Sequence, residues 1–447
     1  MVLNDYLERC AVIGAGGKMG SGIALLLLQE MARMEVERTG RIAGNGRLIL
    51  VDMNDEILTG LQAYLRKQML RYTEKSIVAL RGYYKDRDDL LENREMISDF
   101  INGALSMIRL EKDLKEAAPA RLVFETIVED LEVKARVFST LKGICADDAY
   151  FLTNTSSIPI SVQAERAGLA GRIIGYHFYN PPAVQRLLEV ITTPQTDKNL
   201  QELATELGKR LKKIQVPSHD VAGFIGNGHF MRDAVFGMEL AAGLEKDAAP
   251  HEAIYMVNKV SEEFMVRPMG IFQLMDYVGV DVCRMIMKTM NTYIEDEDIH
   301  SELIDQMNEV GVKGGQFPDG SQKDGFLKYE KGRPAGVFSL KEKDYHMIDQ
   351  SGWSRTCDDK LGKPPADHAG WKALSKDKNI DDKLKSYFGA LFKADTLGAK
   401  LAQRYLRKSR QIARKLVDDQ VAYNIDDVNK VLRNGFYHLY GPENDYF

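Results

Sequence analysis

A strand that runs straight into a glycine-rich turn and then an apolar helix leaves a chain few folds to choose from. Residues 7–33 have that form. Leu7 to Ile13 reads as a buried strand, Gly14-Ala-Gly16-Gly17-Lys-Met19-Gly20-Ser-Gly22 follows, and an apolar helix continues to about Arg33. Glycines there let a ligand approach the backbone, and the start of the helix offers N–H groups and the positive end of its dipole. This is the context in which a dinucleotide pyrophosphate is held. Gly14, Gly16 and Gly20 give G-x-G-x-x-x-G, one residue longer than the usual spacing, with Gly17 and Gly20 as alternative second and third members. A tight turn that binds nothing is the plainer alternative.

Arg47-Leu-Ile-Leu-Val51 is a second strand, closed by Asp52. An acid in that place is suited to the adenosine ribose hydroxyls and favours NAD over NADP. Asp52 lies 36 residues after Gly16 (52 − 16), where ~20 is usual. The excess falls on an extended first helix and a loop with the turn signals Thr39-Gly40 and Ala43-Gly44-Asn45-Gly46. A turn residue at a strand end is the simpler reading of Asp52. Residues 55–110 read as a helical hairpin projecting from the sheet. Lys67, Arg71 and Lys75 stand on adjacent turns, as a solvated face or as a grip on an anionic ligand tail.

Ala120 to Glu125 reads as a strand that turns into a helix at Glu129-Asp130, and Tyr150 to Thr153 as another that ends in Asn154-Thr-Ser156-Ser157. Ligands in parallel sheets sit beyond such strand ends, although Ser156 or Ser157 also suits a helix cap. Next comes Gly175-Tyr-His177-Phe-Tyr-Asn180-Pro181-Pro182-Ala-Val-Gln-Arg-Leu-Leu-Glu189-Val190. Two prolines make its middle a turn, with short apolar strands on either side. That arrangement can bring His177 and Glu189, twelve residues apart (189 − 177), within hydrogen-bond reach. A carboxylate on one imidazole nitrogen fixes the tautomer and leaves the other as a base. A structural histidine beside a surface glutamate is the alternative.

A junction follows at Pro217 to Gly228. Residues 229 to about 310 are helical, with methionine and aromatic stripes suited to a core. The glycine-rich stretch 311–336 reads as a domain end, and the charged stretch 337–394 as a linker or arm. Val428-Asn-Lys-Val431 repeats Val257-Asn-Lys-Val260, each ahead of a turn with Gly or Pro, so 395–447 reads as a second, shorter copy of the helical module 217–336. A net charge of −5 argues against a nucleic-acid partner. The four cysteines, widely spaced, fit a reducing, cytoplasmic compartment and signal no metal site, and no apolar run is long enough to span a bilayer.

Taken together these residues resemble the 3-hydroxyacyl-CoA dehydrogenase family. The resemblance is carried by Val12-Ile-Gly-Ala-Gly, Met19-Gly20-Ser-Gly-Ile-Ala24, Val51-Asp52, Glu125-Thr-Ile-Val-Glu129-Asp-Leu-Glu-Val-Lys134, Thr153-Asn-Thr-Ser-Ser-Ile158, His177-Phe-Tyr-Asn-Pro181, Leu188-Glu-Val-Ile191, Ala222-Gly-Phe-Ile225 with Asn227, and Asp276-Tyr-Val-Gly-Val-Asp281, in that order. It implies an α/β chain with a Rossmann-type NAD-binding domain (1–216) followed by all-α C-terminal domains. By the same resemblance His177 is the catalytic base and Glu189 its partner. Ser156 contacts substrate and nicotinamide, and Asn227 holds the substrate. Gly14, Gly16, Gly17, Met19, Gly20, Asp52, Glu129, Lys134 and Asn180 line the cofactor site, and Lys75 contacts coenzyme A. The implied reaction is reversible oxidation of a 3-hydroxyacyl-CoA with NAD, as in fatty-acid β-oxidation. The implied partners are an acyl-CoA and other β-oxidation enzymes, with the second copy filling a dimer surface to give a pseudo-dimeric monomer. The family places Arg after the asparagine, where this chain has Gly228. A dehydrogenase for a hydroxy acid or sugar acid without coenzyme A is one competing reading. A retired, crystallin-like fold is another, and the presence of both His177 and Glu189 counts against it.

Overall fold

The computed structural model describes residues 2–447 except 45, 318, 319, 349–351, 367 and 368. The chain divides into two compact units, Met1–Asp220 and Val221–Phe447. Among the described residues no helix is long and apolar enough to cross a membrane.

In the first unit α1 (Val2–Leu7) leads into β1 (Arg9–Ile13), and α2 (Lys18–Thr39) leads to β2 (Arg47–Val51). Then come α3 (Asp55–Lys75), α4 (Ile77–Tyr83), α5 (Asn93–Ser106) and β3 (Ile108–Glu111). β4 (Leu122–Glu125), α6 (Leu131–Ile144), β5 (Tyr150–Thr153), α7 (Ile160–Ala167), β6 (Ile173–Phe178), β7 (Leu187–Ile191), α8 (Lys198–Arg210) and β8 (Ile214–Ser218) complete it. The strands form one sheet in the order β3-β2-β1-β4-β5-β6-β7-β8. Pairing is parallel except between β6 and β7. β1, β4, β5 and β6 are near-continuous apolar runs because helices cover both faces of a parallel sheet.

The expected hairpin contains α3, α4 and α5 and returns as an edge strand, β3, which pairs with β2. α2 runs on to Thr39 and stops at Gly40, whose φ of 68° is the left-handed conformation of a helix C-terminus. This accounts for the long separation between the glycine turn and Asp52.

The second unit is built on α9 (Phe224–Leu244), α10 (Pro250–Lys259), α11 (Ile271–Val278), α12 (Val280–Tyr293) and α13 (Glu302–Glu309). After it come β9 (Leu327–Glu330), β10 (Arg333–Ser339) and β11 (Asp344–Met347), then α14 (Trp353–Leu361), α15 (Trp371–Leu374), α16 (Ile380–Leu391), α17 (Leu397–Asp418) and α18 (Ile425–Gly435). The described residues of the stretch read from sequence as a linker or arm, 337–394, thus include the end of β10, all of β11 and three helices. β9, β10 and β11 form an antiparallel sheet. Val337, Cys357, Leu361, Leu384, Phe388 and Leu391 are buried in the same core as Phe230, Phe264 and Tyr405. The spacing of 384, 388 and 391 is that of one helical face. The glycine-rich stretch does not end a unit either: Phe326 and Leu327 donate their N–H groups to the buried Asp276 carboxylate (2.6 and 2.8 Å).

The repeated Val-Asn-Lys-Val runs end α10 and lie within α18. In each, the asparagine Oδ1 accepts a backbone N–H from a residue beyond the following turn: Gln273 for Asn258 (3.0 Å) and Glu443 for Asn429 (3.3 Å). α17 packs along α9, with Tyr405 donating its hydroxyl to Asp233 O (2.7 Å) and its ring 5.4 Å from that of Phe236. Gly228, where the family has Arg, faces Leu416: a Cβ there would stand 3.1 Å from its Cδ2.

Candidate functional site

The glycine turn is anchored to the end of β2. Gly14 N and Ala15 N donate to Val51 O (2.9 and 3.1 Å), and Gly16 N donates to Asp52 Oδ2 (3.1 Å). Gly14 has φ 78°, and a Cβ on it would lie 2.8 Å from Thr126 O. A Cβ on Gly20 would lie 2.2 Å from Gly14 O. Neither position admits a side chain, so the backbone is the lining here. The extra residue of the turn is absorbed by Gly17, which is the N-cap of α2 in an extended conformation, its N–H donating to Gly14 O (3.1 Å). Met19 then sits in the first turn of α2. Thr126, which the sequence reading passed over, donates its hydroxyl to Ile13 O and Gly14 O (2.9 and 3.0 Å) and ties β4 to the turn.

Beyond β4 and β5 a buried ionic network carries the Ser156 turn. Glu125 ends β4 fully buried, and Lys134, one turn into α6, donates to both of its carboxylate oxygens (2.8 and 2.9 Å). The same ammonium stands 3.3 Å from Glu129 Oε2. Glu129 Oε1 accepts from Thr155 Oγ1 (2.6 Å), Ser156 N (2.9 Å), Ser157 N (3.0 Å) and Ser157 Oγ (3.1 Å). Burial alone would raise the Glu129 carboxyl, but Lys134, the Thr155 hydroxyl and the two N–H groups outweigh it and hold it below the usual carboxylate range. Burial likewise opposes the charge on Lys134, and the two glutamates keep it protonated. Lys134, expected at the cofactor site, is 1 % exposed and spends its donors on Glu125 and Glu129. These ion pairs brace the turn, as a buried ammonium must be paired.

The third element is the β6–β7 hairpin. Its register sets His177 directly opposite Glu189. His177 Nδ1 lies 3.0 Å from Glu189 Oε1, with the histidine 7 % exposed and the glutamate fully buried. Tyr179 donates its hydroxyl to the same oxygen (2.8 Å), which the sequence reading missed although Tyr179 is two residues from His177. Phe178 N donates to Asn154 Oδ1 (2.8 Å), joining the hairpin to the end of β5. Asn180 begins the turn, and its Oδ1 is buried with no partner among the described residues. A buried acceptor without a donor is uncommon and points to a missing hydrogen-bonding group.

These features fit a dinucleotide: a side-chain-free cradle at a helix start, an acid closing β2, and an unsatisfied amide oxygen on the adjoining turn. Lys75 is exposed at the last turn of α3 in the first unit, following Lys67 and Arg71 at intervals of four residues. Asn227 lies in the first turn of α9 in the second unit.

Comparison with known proteins gives a consistent answer. Residues 9–221 match the model of the 3-hydroxyacyl-CoA dehydrogenase NAD-binding domain and 223–329 that of the 3-hydroxyacyl-CoA dehydrogenase C-terminal domain. The chain is 29 % identical over 331 residues to human mitochondrial hydroxyacyl-coenzyme A dehydrogenase, covering 72 % of this chain and 92 % of that protein. It is 28 % identical over 327 residues to a rice peroxisomal fatty acid β-oxidation multifunctional protein, covering 73 % of this chain but only 39 % of the relative's length. A crystal structure of 3-hydroxybutyryl-CoA dehydrogenase from Escherichia coli K12 shares the fold across 97 % of this chain and 90 % of its own, with a TM-score of 0.63 at 21 % identity.

Proposed function

The chain belongs to the 3-hydroxyacyl-CoA dehydrogenase family, and we propose that it interconverts 3-hydroxyacyl-CoA and 3-ketoacyl-CoA with NAD. The observation that carries the reading is the His177–Glu189 pair, set by strand register at the end of the sheet where the glycine turn and the Ser156 turn also lie. Glu189 accepts the Nδ1 proton of His177, so the basic lone pair resides on Nε2. In oxidation Nε2 takes the proton of the substrate 3-hydroxyl. In reduction the imidazolium returns it to the developing alkoxide. Glu189 balances the positive ring in both directions, and Tyr179 fixes the carboxylate that does so. General base work of this kind contributes about 10²–10⁴-fold.

NAD, when bound, supplies the hydride acceptor. The glycine turn and the start of α2 suit its pyrophosphate, Asp52 its adenosine ribose and Asn180 Oδ1 an amide donor. Ser156, on the turn held by Glu129, and Asn227 would hydrogen-bond substrate oxygens and orient the reacting carbon. Lys75, with Lys67 and Arg71, offers the phosphates of coenzyme A a basic helix face. The close packing of α17 on α9 supports a pseudo-dimeric monomer, which light scattering tests: a stable dimer would speak against it. The test of the activity is NADH consumption with acetoacetyl-CoA and with longer 3-ketoacyl-CoA esters. Turnover abolished by His177→Ala is the expected result, and the rate series sets the preferred acyl length. Absence of turnover with every ester, but turnover with a hydroxy acid lacking coenzyme A, would transfer the assignment to that class.

A further inference from the structure

The turn between β6 and β7 must do two things at once. It carries Asn180, and it returns the chain so that Glu189 meets His177. Its sequence is poorly equipped to hold itself. Pro181 and Pro182 have no N–H to give, and Val184 N and Gln185 N both go to the single carbonyl of Pro181 (2.9 and 2.8 Å). Two carbonyls at the ends of the turn, Pro182 O and Gln185 O, need a donor from elsewhere.

Both are taken by one group. Lys213 Nζ donates to Pro182 O (2.5 Å) and to Gln185 O (2.6 Å). Lys213 is the last residue before β8, and Ile214, the first residue of β8, donates its N–H to Arg186 O (2.8 Å), so two consecutive residues at the start of β8 clasp the turn and the residue before β7. The ammonium also lies 5.5 Å from the ring centre of Phe178, the residue after His177. From the other side Pro182 rests on α2: a Cβ on Gly22 would lie 2.8 Å from Pro182 Cδ. The turn is thus held between the helix that begins at the glycine cradle and the lysine that precedes β8.

The cation is an expensive choice for this task. Among the described residues no carboxylate lies within ion-pair distance of Lys213, and the charge that acts on it, Arg186, is of the same sign. Burial, with Arg186 adding to it, brings its pKa down to about 8. A half-buried ammonium with no carboxylate partner carries an uncompensated desolvation cost, and such exceptions gather at functional positions.

We propose that Lys213 is a positioning residue for the dinucleotide and for the proton relay, holding the 181–186 turn so that Asn180 Oδ1 is presented to the cofactor and Glu189 stays in register with His177. This rests on the reading of the site as an NAD dehydrogenase, but its first readout does not need turnover. NADH affinity, by fluorescence titration of the full-length protein, is compared for wild type, Lys213→Met, Lys213→Arg and Asn180→Ala. Lys213→Met keeps length and apolar stem and loses both donors. The dissociation constant is expected to rise about tenfold, with a small fall in melting temperature as two carbonyls lose their donor. Lys213→Arg, whose guanidinium offers two donors, is expected to recover most of the affinity. Because the lysine acts through Asn180, Lys213→Met combined with Asn180→Ala should bind little worse than Asn180→Ala alone. Wild-type affinity in Lys213→Met overturns the proposal, as does a loss accompanied by a fall in melting temperature that Lys213→Arg does not repair, which is the mark of a structural lysine. Failure of the wild type to reduce any 3-ketoacyl-CoA while NADH affinity responds as described would count against the substrate assignment and leave the clamp standing.

Discussion

Replacing Glu189 by glutamine removes one charge from the relay and almost nothing else. The amide is isosteric, the position is fully buried, and the strand register that sets it against His177 involves only backbone. What is lost follows from the geometry. The carboxylate oxygen lies 3.0 Å from Nδ1, and with an effective dielectric constant of ~20 the attraction between unit charges at 3–4 Å is about 4–5.5 kcal/mol. The amide dipole retains part of this, so kcat/KM should fall about 10²–10³-fold, each 1.4 kcal/mol being roughly tenfold. A second effect acts in the same direction. If the amide turns its NH₂ toward Nδ1, the imidazole is held in the opposite tautomer and Nε2 carries the proton that the base must accept. The assay is steady-state oxidation of NADH by acetoacetyl-CoA, with thermal melting to establish that the variant is folded. KM for NADH should stay within about threefold, since Glu189 is expected to act on the transition state and not on the bound cofactor. A folded variant with less than a tenfold loss would refute the argument that Glu189 charge supports His177.

Two further outcomes are expected. Lys75→Glu, at the exposed end of α3, should raise KM for acetoacetyl-CoA about tenfold, as removal of a phosphate contact and introduction of repulsion together amount to roughly 1–1.5 kcal/mol. Its kcat and KM for NADH should be unaffected, and a truncated thioester without the nucleotide should show no difference; an equal loss with that substrate would remove Lys75 from the coenzyme A contact. Stability should fall in mild acid. His229, 1 % exposed in the second unit with Nε2 3.2 Å from Ser409 Oγ, has its pKa lowered to about 4 by burial, with Arg267 and Arg232 adding to it against Asp233. Between that value and the ~6.5 of an unfolded histidine the unfolded chain binds the extra proton, so stability is full above pH ~6.5 and drains away toward pH ~4, by about 2 kcal/mol at pH 5. Urea titrations at pH 7 and pH 5 should show this drop in wild type and a smaller one in His229→Gln; an equal drop in both would show that another group is responsible.

What could be read from the sequence, and what could not, divides along a physical line. The glycine turn, the strand ending in Asp52 and the β6–β7 return are written in consecutive residues. Local rules of strand period, proline and glycine placement therefore bear directly on them, and the hairpin pairs His177 with Glu189 because both lie on one short return of the chain. Residues 337–394 were obscured by charge. Their apolar positions are sparse, and Leu384, Phe388 and Leu391 mark a helix only when the surrounding lysines and aspartates are set aside as its outer face. The least legible members of the site are the cations. The resemblance assigns Lys134 to the cofactor site without its ionic partners, and the fold closes it between Glu125 and Glu129. Lys213 follows Lys212 with no motif to mark it, and its partners are carbonyls 28 and 31 residues away in the chain. A carbonyl carries no residue identity, so neither composition nor motif records such a contact. It follows from where backbone is left unsatisfied, and in this chain that question leads from two prolines to a lysine, and from the lysine to the geometry of the relay.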